Sequence, residues 1–246
     1  MDGLKNKIIV VTGGCGLLGA SLVKDLNRYK SLCINLDIGV TDDLDSGTLY
    51  CDITNSKSVK ASIEKILKKY KKIDGWVNNA YPRTKDWGNR FENVSLESWK
   101  QNLDMQLGSV FNCCKLVLGV MSNQKNGSIV NISSIYGMGA PDFSVYDNTL
   151  MTMPVAYSAI KGGLINFSKY LASYYGKDNI RINCVSPGGI FNNQEPIFVS
   201  NFNKKVPLGR MADAKDVSPG VCFLLSDEAS YITGHNLVVD GGWTCI

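Results

Sequence analysis

Short β-branched runs alternating with stretches of helical period are what most restrict the folds open to this chain. Ile8–Thr12 (IIVVT) is the kind of run a strand buried on both faces requires. Leu17, Leu18, Leu22, Val23 and Leu26 then recur at helical spacing, and Leu32–Leu36 is the next apolar run. Thr48–Cys51 and Gly75–Asn79 follow as strands around an amphipathic helix, Ser56–Tyr70. Helices are expected over Ser95–Gln106 and Ser109–Ser122, then a strand at Ser128–Ile132 and a long helix at Val155–Tyr175. A strand at Ile180–Val185 leads into a loop holding Pro187, Pro196 and Pro207; a helix over Ala214–Leu225 and a strand at Asn236–Val239 close the chain. This alternation implies right-handed crossovers and a parallel sheet covered on both faces. The expected fold is α/β, a single doubly wound domain over residues 1–246 with about seven strands, since no linker divides it.

Composition excludes several classes. Charge is nearly balanced, with 26 Lys+Arg against 22 Asp+Glu, and 44% of residues are hydrophobic, so disorder does not fit. A net charge of +4 is too weak to argue for nucleic acid or a membrane surface. Lys65, Lys68, Lys69 and Lys72 oppose Ile63, Ile66 and Leu67 and read as a solvated helix face. Eight scattered cysteines with no C-x-x-C, and the single His235, give no metal spacing. The thiols read as reduced, small buried hydrophobes, which fits a cytoplasmic protein. Glycines interrupt the apolar N-terminal stretch before it can serve as a signal peptide, and no apolar run approaches the ~20 residues of a membrane span.

Chemistry first appears at Thr12-Gly13-Gly14-Cys15-Gly16-Leu17-Leu18-Gly19. Glycines at 13, 16 and 19, between a strand and a helix, let the backbone turn tightly and approach a pyrophosphate at the helix N-terminus. This is the Rossmann-type context in which such a cluster has meaning. Asp37 ends the second strand, where a carboxylate accepts both hydroxyls of an adenosine ribose and repels a 2′-phosphate. NAD is therefore expected rather than NADP; a turn- or helix-capping Asp is the plain alternative.

Tyr157 and Lys161, four apart on the longest helix, face the same way. Such a pair alone is what chance supplies here, and Tyr81/Lys85 has the same spacing, although Pro82 argues against a helix across it. Ser133-Ser134 ends a strand upstream, at the sheet edge where open parallel sheets bind ligands.

Taken with Cys51-Asp52-Ile53, Asn78-Asn79-Ala80, Ile132-Ser133-Ser134, Asn183-x-Val-x-Pro187-Gly188 and Gly234…Val239-Asp240-Gly241-Gly242, these motifs resemble the short-chain dehydrogenase/reductase family in its compact form, along the whole chain. The resemblance implies that Tyr157 is the general acid or base at the substrate oxygen, that Lys161 supplies positive charge and holds the nicotinamide ribose, and that Ser134 positions the reacting oxygen. It places Gly13, Gly16, Leu18 and Gly19 at the pyrophosphate and Asp52 and Ile53 by the adenine. Asn79 and Ala80 fall by its ribose, and Pro187, Gly188 and Ile190 by the nicotinamide amide. It also implies a homodimer or homotetramer packed through the helices around 95–122 and 155–175.

Three departures stand out. The glycine spacing is that of the family's longer, extended branch. Gln106 occupies the frame Trp99…Gln106-Leu107-Gly108…Phe111 where the family has an Asn that helps hold a proton-relaying water, so either the relay persists with shifted geometry or activity is reduced. Ser134 and Tyr157 lie 23 residues apart, about ten more than the family usual, through an inserted segment within Gly137–Pro154 that should lie beside the substrate. That segment and Asn79-Ala80-Tyr81-Pro82-Arg83 resemble a subgroup of bacterial oxidoreductases associated with sialic-acid-like and other surface sugars, including flagellin glycans. Arg83, able to clasp a phosphate or carboxylate, and Tyr136 are the candidate substrate contacts.

The expected activity is an NAD-dependent interconversion of a secondary alcohol and a ketone on a sugar or sugar-derived acid, with no metal. A reductase of a 3-oxoacyl thioester or steroid-like ketone, and a weakly active cofactor-binding scaffold, are the alternatives.

Overall fold

The structure, a computed structural model, describes residues 1–246. Seven parallel strands form one sheet in the order β3-β2-β1-β4-β5-β6-β7. They are β1 (Ile8–Thr12), β2 (Leu32–Asp37), β3 (Thr48–Tyr50), β4 (Gly75–Asn78), β5 (Gly127–Ile132), β6 (Ile180–Pro187) and β7 (Asn236–Val239). All residues of β1, β4 and β5 are buried, which is why these strands read as continuous apolar runs. The strand order reverses between β1 and β4. In an open α/β sheet that switch point opens a crevice beyond the carboxyl ends of the strands.

Helices cover both faces. α1 (Leu17–Arg28) and α7 (Ala214–Leu225) pack on one side through Leu18, Leu22, Leu26, Val217, Val221 and Leu225. α2 (Ser56–Tyr70), α4 (Ser109–Gln124) and α5 (Val155–Tyr175) close the other around the fully buried Trp76. A chain of buried polar groups locks α5 to the sheet there. Trp76 Nε1 donates to Asn78 Oδ1 (2.8 Å), Asn78 Nδ2 to Asn131 Oδ1 (2.7 Å), and Asn131 Nδ2 to Ser168 Oγ (2.7 Å). Cys184 Sγ also donates to Ser168 (3.0 Å). With its partners satisfied inside a low-dielectric core, such a network fixes one arrangement of its elements.

The structure departs from the sequence reading at four places. The helix expected over Ser95–Gln106 is α3 (Leu96–Leu103), and a π turn, Asp104–Gly108, carries it without a break into α4. The resulting Leu96–Gln124 helix is long and apolar enough to cross a membrane, contrary to the expectation that no such stretch exists. Its face formed by Val110, Cys113, Val117 and Met121 is instead packed in the core. Pro196–Asn203 is a helix, α6, where a loop was expected; Pro196 stands at the first helical position, where a missing N–H costs nothing. Cys15 and Cys245 are exposed, whereas the other six thiols are buried as expected. On α2, Lys65 and Lys69 pair with Asp42 and Asp45, consistent with a solvated face.

Candidate active site

The glycine turn is built by close approach. Gly13 adopts φ +69°, and a Cβ there would lie 2.8 Å from Ala80 Cα. A Cβ on Gly19 would meet the Gly13 carbonyl oxygen at 2.0 Å, so α1 seats directly on the turn only because residue 19 lacks a side chain. No side chain caps α1 at Gly16. Its first N–H groups, those of Leu17, Leu18 and Gly19, are thus left without intrahelical partners, as an anion-binding helix end needs. Beside them the Asp37 carboxylate accepts N–H bonds from Cys15 (2.9 Å) and Gly39 (2.8 Å).

Across the switch point, Asn79 Nδ2 donates to the carbonyls of Thr12 and Gly13, both at 3.0 Å. The N–H groups of Asn79 and Ala80 donate to Thr12 Oγ1 (3.0 and 3.1 Å). The end of β4 is thereby tied to the glycine turn. Asp52 Oδ1 accepts from Thr54 N–H and Oγ1, and Ile53 is buried beside it. Gly188 N–H donates to the Val239 carbonyl (2.9 Å), holding Pro187–Ile190 at the β6 edge, and Ile190 bridges Ala212. These observations fit a dinucleotide: a glycine-rich turn, an uncapped helix end and a carboxylate at the second strand's end lie beside one another.

Ser134 lies just beyond β5, and its Oγ accepts the Tyr136 N–H (3.2 Å). Gly137 presses this turn onto α5, since a Cβ there would meet the Lys161 carbonyl carbon at 2.6 Å. Ser133 Oγ donates to the same Lys161 carbonyl (2.8 Å). Ser134, Tyr157 and Lys161 are thus brought together at one edge. Burial raises the Tyr157 phenol above its ordinary value, while the Ser134 hydroxyl draws it back. Lys161 is buried, its ammonium donating to the Ile132 carbonyl (2.8 Å), and burial pulls its pKa down to about 8.

Gln106 falls inside the π turn that joins α3 to α4, a feature often found at functional positions. It is buried, and neither its Nε2 nor its Oε1 has a partner in the chain. Tyr136 is also buried with an unpartnered hydroxyl, beside Tyr146, Met151, Met153, Phe198 and Phe202. Tyr146, Met151 and Met153 belong to the inserted segment, and Tyr157 packs against the same cluster. Arg83 is exposed and enters no ion pair, its guanidinium carbon 5.9 Å from the Tyr81 ring centroid.

Tyr81, Trp87 and Trp243 reach the site, although none of them is assigned a role there from the sequence. Tyr81 meets Tyr157 edge-on (5.9 Å, 86°), and Trp87 packs on both. Trp243 stacks on Phe202 (4.3 Å, 19°). For Tyr81 a signal existed, its place directly after Asn79-Ala80 at a strand's carboxyl end.

The chain is similar to known proteins along almost its whole length. A family profile described as enoyl-(acyl carrier protein) reductase matches residues 38–244. The chain is 37% identical to post-translational flagellin modification protein A of Campylobacter coli, over 98% of this chain and 99% of that protein. It is 35% identical to the 3-oxoacyl-[acyl-carrier-protein] reductase FabG of Chlamydia muridarum, over 97% and 98%. Among solved structures it superposes on a short chain dehydrogenase from Leptospira borgpetersenii with bound NAD+ at a TM-score of 0.88, with 34% identity, covering 98% of this chain and 93% of that one. The chain belongs to the short-chain dehydrogenase/reductase family, a family of oxidoreductases.

Proposed function

We propose that residues 1–246 act as one NAD-dependent oxidoreductase that interconverts a secondary alcohol and a ketone on a sugar or sugar-derived acid. The observation that carries the reading is the convergence of Ser134, Tyr157 and buried Lys161 at the sheet edge that also holds the glycine turn and Asp37. Gly13, Gly16, Leu18 and Gly19 would hold the pyrophosphate, and Asp37 the adenosine ribose. Asp52 and Ile53 would flank the adenine, Asn79 and Ala80 its ribose, and Pro187, Gly188 and Ile190 the nicotinamide. When bound, the nicotinamide supplies the hydride chemistry.

In the oxidative direction the Tyr157 phenolate accepts the proton of the substrate hydroxyl as the carbon gives up its hydride; in reduction the phenol returns that proton. Ser134 Oγ holds the reacting oxygen. A phenol of pKa about 10 needs nearby positive charge to work near neutrality, and Lys161 is the cation in place. Gln106, with a free donor and acceptor buried in the π turn, takes the position of the family Asn in holding a water behind Lys161.

The sugar reading draws support from the flagellin modification relative and from Arg83, Lys85 and Arg90, exposed cations suited to an anionic substrate group. The FabG relative favours a second reading, reduction of a 3-oxoacyl thioester, for which the same cations would serve the carrier. Exposed Phe111, Tyr170 and Tyr174 on α4 and α5 suit contact with a second copy of the chain.

The test is a screen of NAD-linked oxidation across neutral and acidic sugars, with acetoacetyl-CoA reduction alongside, repeated with Tyr157→Phe. Sugar oxidation that disappears in the variant, while NADH still binds, supports the reading. Acetoacetyl-CoA turnover alone would move the substrate class to thioesters, and substantial activity in Tyr157→Phe would overturn the assignment of the acid/base.

A further inference from the structure

Lys161 is a buried cation without a carboxylate: none of the ion pairs in the structure includes it, and its one hydrogen bond goes to the Ile132 carbonyl (2.8 Å). An ammonium withdrawn from water requires compensation. The geometry supplies it from two phenol rings. Lys161 Nζ lies 5.4 Å from the Tyr81 ring centroid and 5.5 Å from that of Tyr157, both within the range at which a ring face attracts a cation. The two rings stand at 86° to each other, 5.9 Å apart, and buried Trp87 meets Tyr81 at 85° and 5.7 Å. These are the edge-to-face arrangements that aromatic quadrupoles favour.

We propose that Tyr81 is a positioning residue of this site, its ring closing with that of Tyr157 around the Lys161 ammonium while bracing the Tyr157 ring at a right angle. The proposal rests on the reading of Tyr157 and Lys161 given above. It explains why a tyrosine stands directly after Asn79-Ala80: Pro82 keeps the segment out of a helix, and the end of β4, bound to Thr12 and Gly13, aims residue 81 across the crevice toward α5. Tyr81 remains partly exposed, as a ring on the open side of a site would be and a core ring would not.

The groups that face this pair come from several elements. Cys184 on β6 acts on Lys161, weakly opposing the effect of burial, and the Ser134 hydroxyl acts on Tyr157. Tyr136 and Tyr146 interact with Tyr157 from the cluster that holds the inserted segment, and the Arg83 guanidinium also stands over the Tyr81 ring, 5.9 Å from its centroid. No carboxylate pairs with Lys161, so the ring face of Tyr81 is the part of its surroundings that a substitution can remove while the Tyr157 side chain itself is kept.

The experiment compares Tyr81→Phe, which keeps the ring face, with Tyr81→Leu, which fills the space without one. The full-length protein, labelled with 13C at lysine Cε, is titrated by NMR, with the Lys161 resonance identified by its loss in Lys161→Arg. Tyr81→Phe is expected to titrate Lys161 as wild type does. Tyr81→Leu is expected to lower its midpoint by about half a pH unit or more, because the charged form has lost a partner. In turnover, Tyr81→Leu should lower kcat about tenfold, change the KM for NAD less than about threefold, and move the acid limb of the oxidation profile to higher pH. A wild-type Lys161 midpoint in Tyr81→Leu, or equal losses in the Phe and Leu variants, would overturn the proposal. Should Tyr81→Leu not fold, Tyr81→Met carries the same comparison. If the wild type oxidises no secondary alcohol, the reading of the site fails, while the NMR titration still decides whether Tyr81 holds Lys161.

Discussion

The Asp37 carboxylate accepts the backbone N–H of Cys15 at 2.9 Å, which ties the end of β2 to the glycine turn that opens α1. Its other oxygen takes the Gly39 N–H, so the carboxylate is fixed beside the helix end rather than free to swing. A fixed negative charge there favours two ribose hydroxyls and opposes a 2′-phosphate. Calorimetric titration is expected to show NADH binding at least tenfold more tightly than NADPH, a difference of about 1.4 kcal/mol or more. Asp37→Ser should shrink that ratio mainly by improving NADPH binding. Tighter NADPH binding by the unmodified protein would refute the assignment.

Residue spacing made some of this site legible in the sequence. Gly13, Gly16 and Gly19 between an apolar strand and a helix, and Tyr157 four before Lys161 on the longest helix, are local patterns. Strand and helix periods place such residues before any tertiary contact is known. Helix α6 was not legible because Pro196 reads equally as a breaker and as a first helical residue, and only its surroundings decide. The π turn around Gln106 leaves no mark on a helical pattern that continues on both sides. Tyr81 was obscured for a different reason: its neighbours Trp87, Tyr157 and Lys161 are assembled by the sheet, not by sequence spacing.

Gln106 holds a buried amide whose donor and acceptor both lack partners in the chain. A polar group of this kind detracts from stability unless water or a ligand engages it. Gln106→Leu removes both donor and acceptor, so its turnover is expected to fall with no side chain left to hold the water behind Lys161. Gln106→Asn, with the same donor and acceptor set on a shorter arm, should keep turnover within about tenfold, less than ~1.4 kcal/mol in barrier. A gain of several hundredfold in Gln106→Asn would mean that the natural residue cripples the site.

The Lys161 pKa, held down to about 8 chiefly by burial, has a signed consequence for stability. An unfolded lysine titrates near about 10.4, so between roughly pH 8 and pH 10.4 the unfolded chain binds more protons than the folded one. The cost of carrying this buried charge is complete below about pH 8 and fades as pH rises toward 10.4. Lys161→Met should thus be the more stable protein at pH 7, by a few degrees in Tm, with the advantage narrowing from pH 8 upward. Melting curves across pH 6 to 10, in low salt and without cofactor, check this. A variant less stable at pH 7, or a gap that does not change with pH, would contradict it.

Arg83 lies beyond the end of β4, exposed, free of ion pairs and 5.9 Å from the Tyr81 ring that borders Tyr157. Its guanidinium presents a planar fork that matches a carboxylate or phosphate in two-point fashion. Because the group is solvated and makes no structural bond, Arg83→Ala should leave the fold and NADH binding unchanged. For an acidic sugar substrate KM is expected to rise at least tenfold with kcat little altered, the pattern of a contact made equally in ground and transition states. The neutral analogue of the same sugar should show less than a threefold change. Arg83→Lys should recover only part of the loss, since an ammonium keeps the charge but not the fork. Steady-state kinetics on the matched pair decide the matter. Equal effects on the acidic and neutral substrates would remove Arg83 from the substrate site.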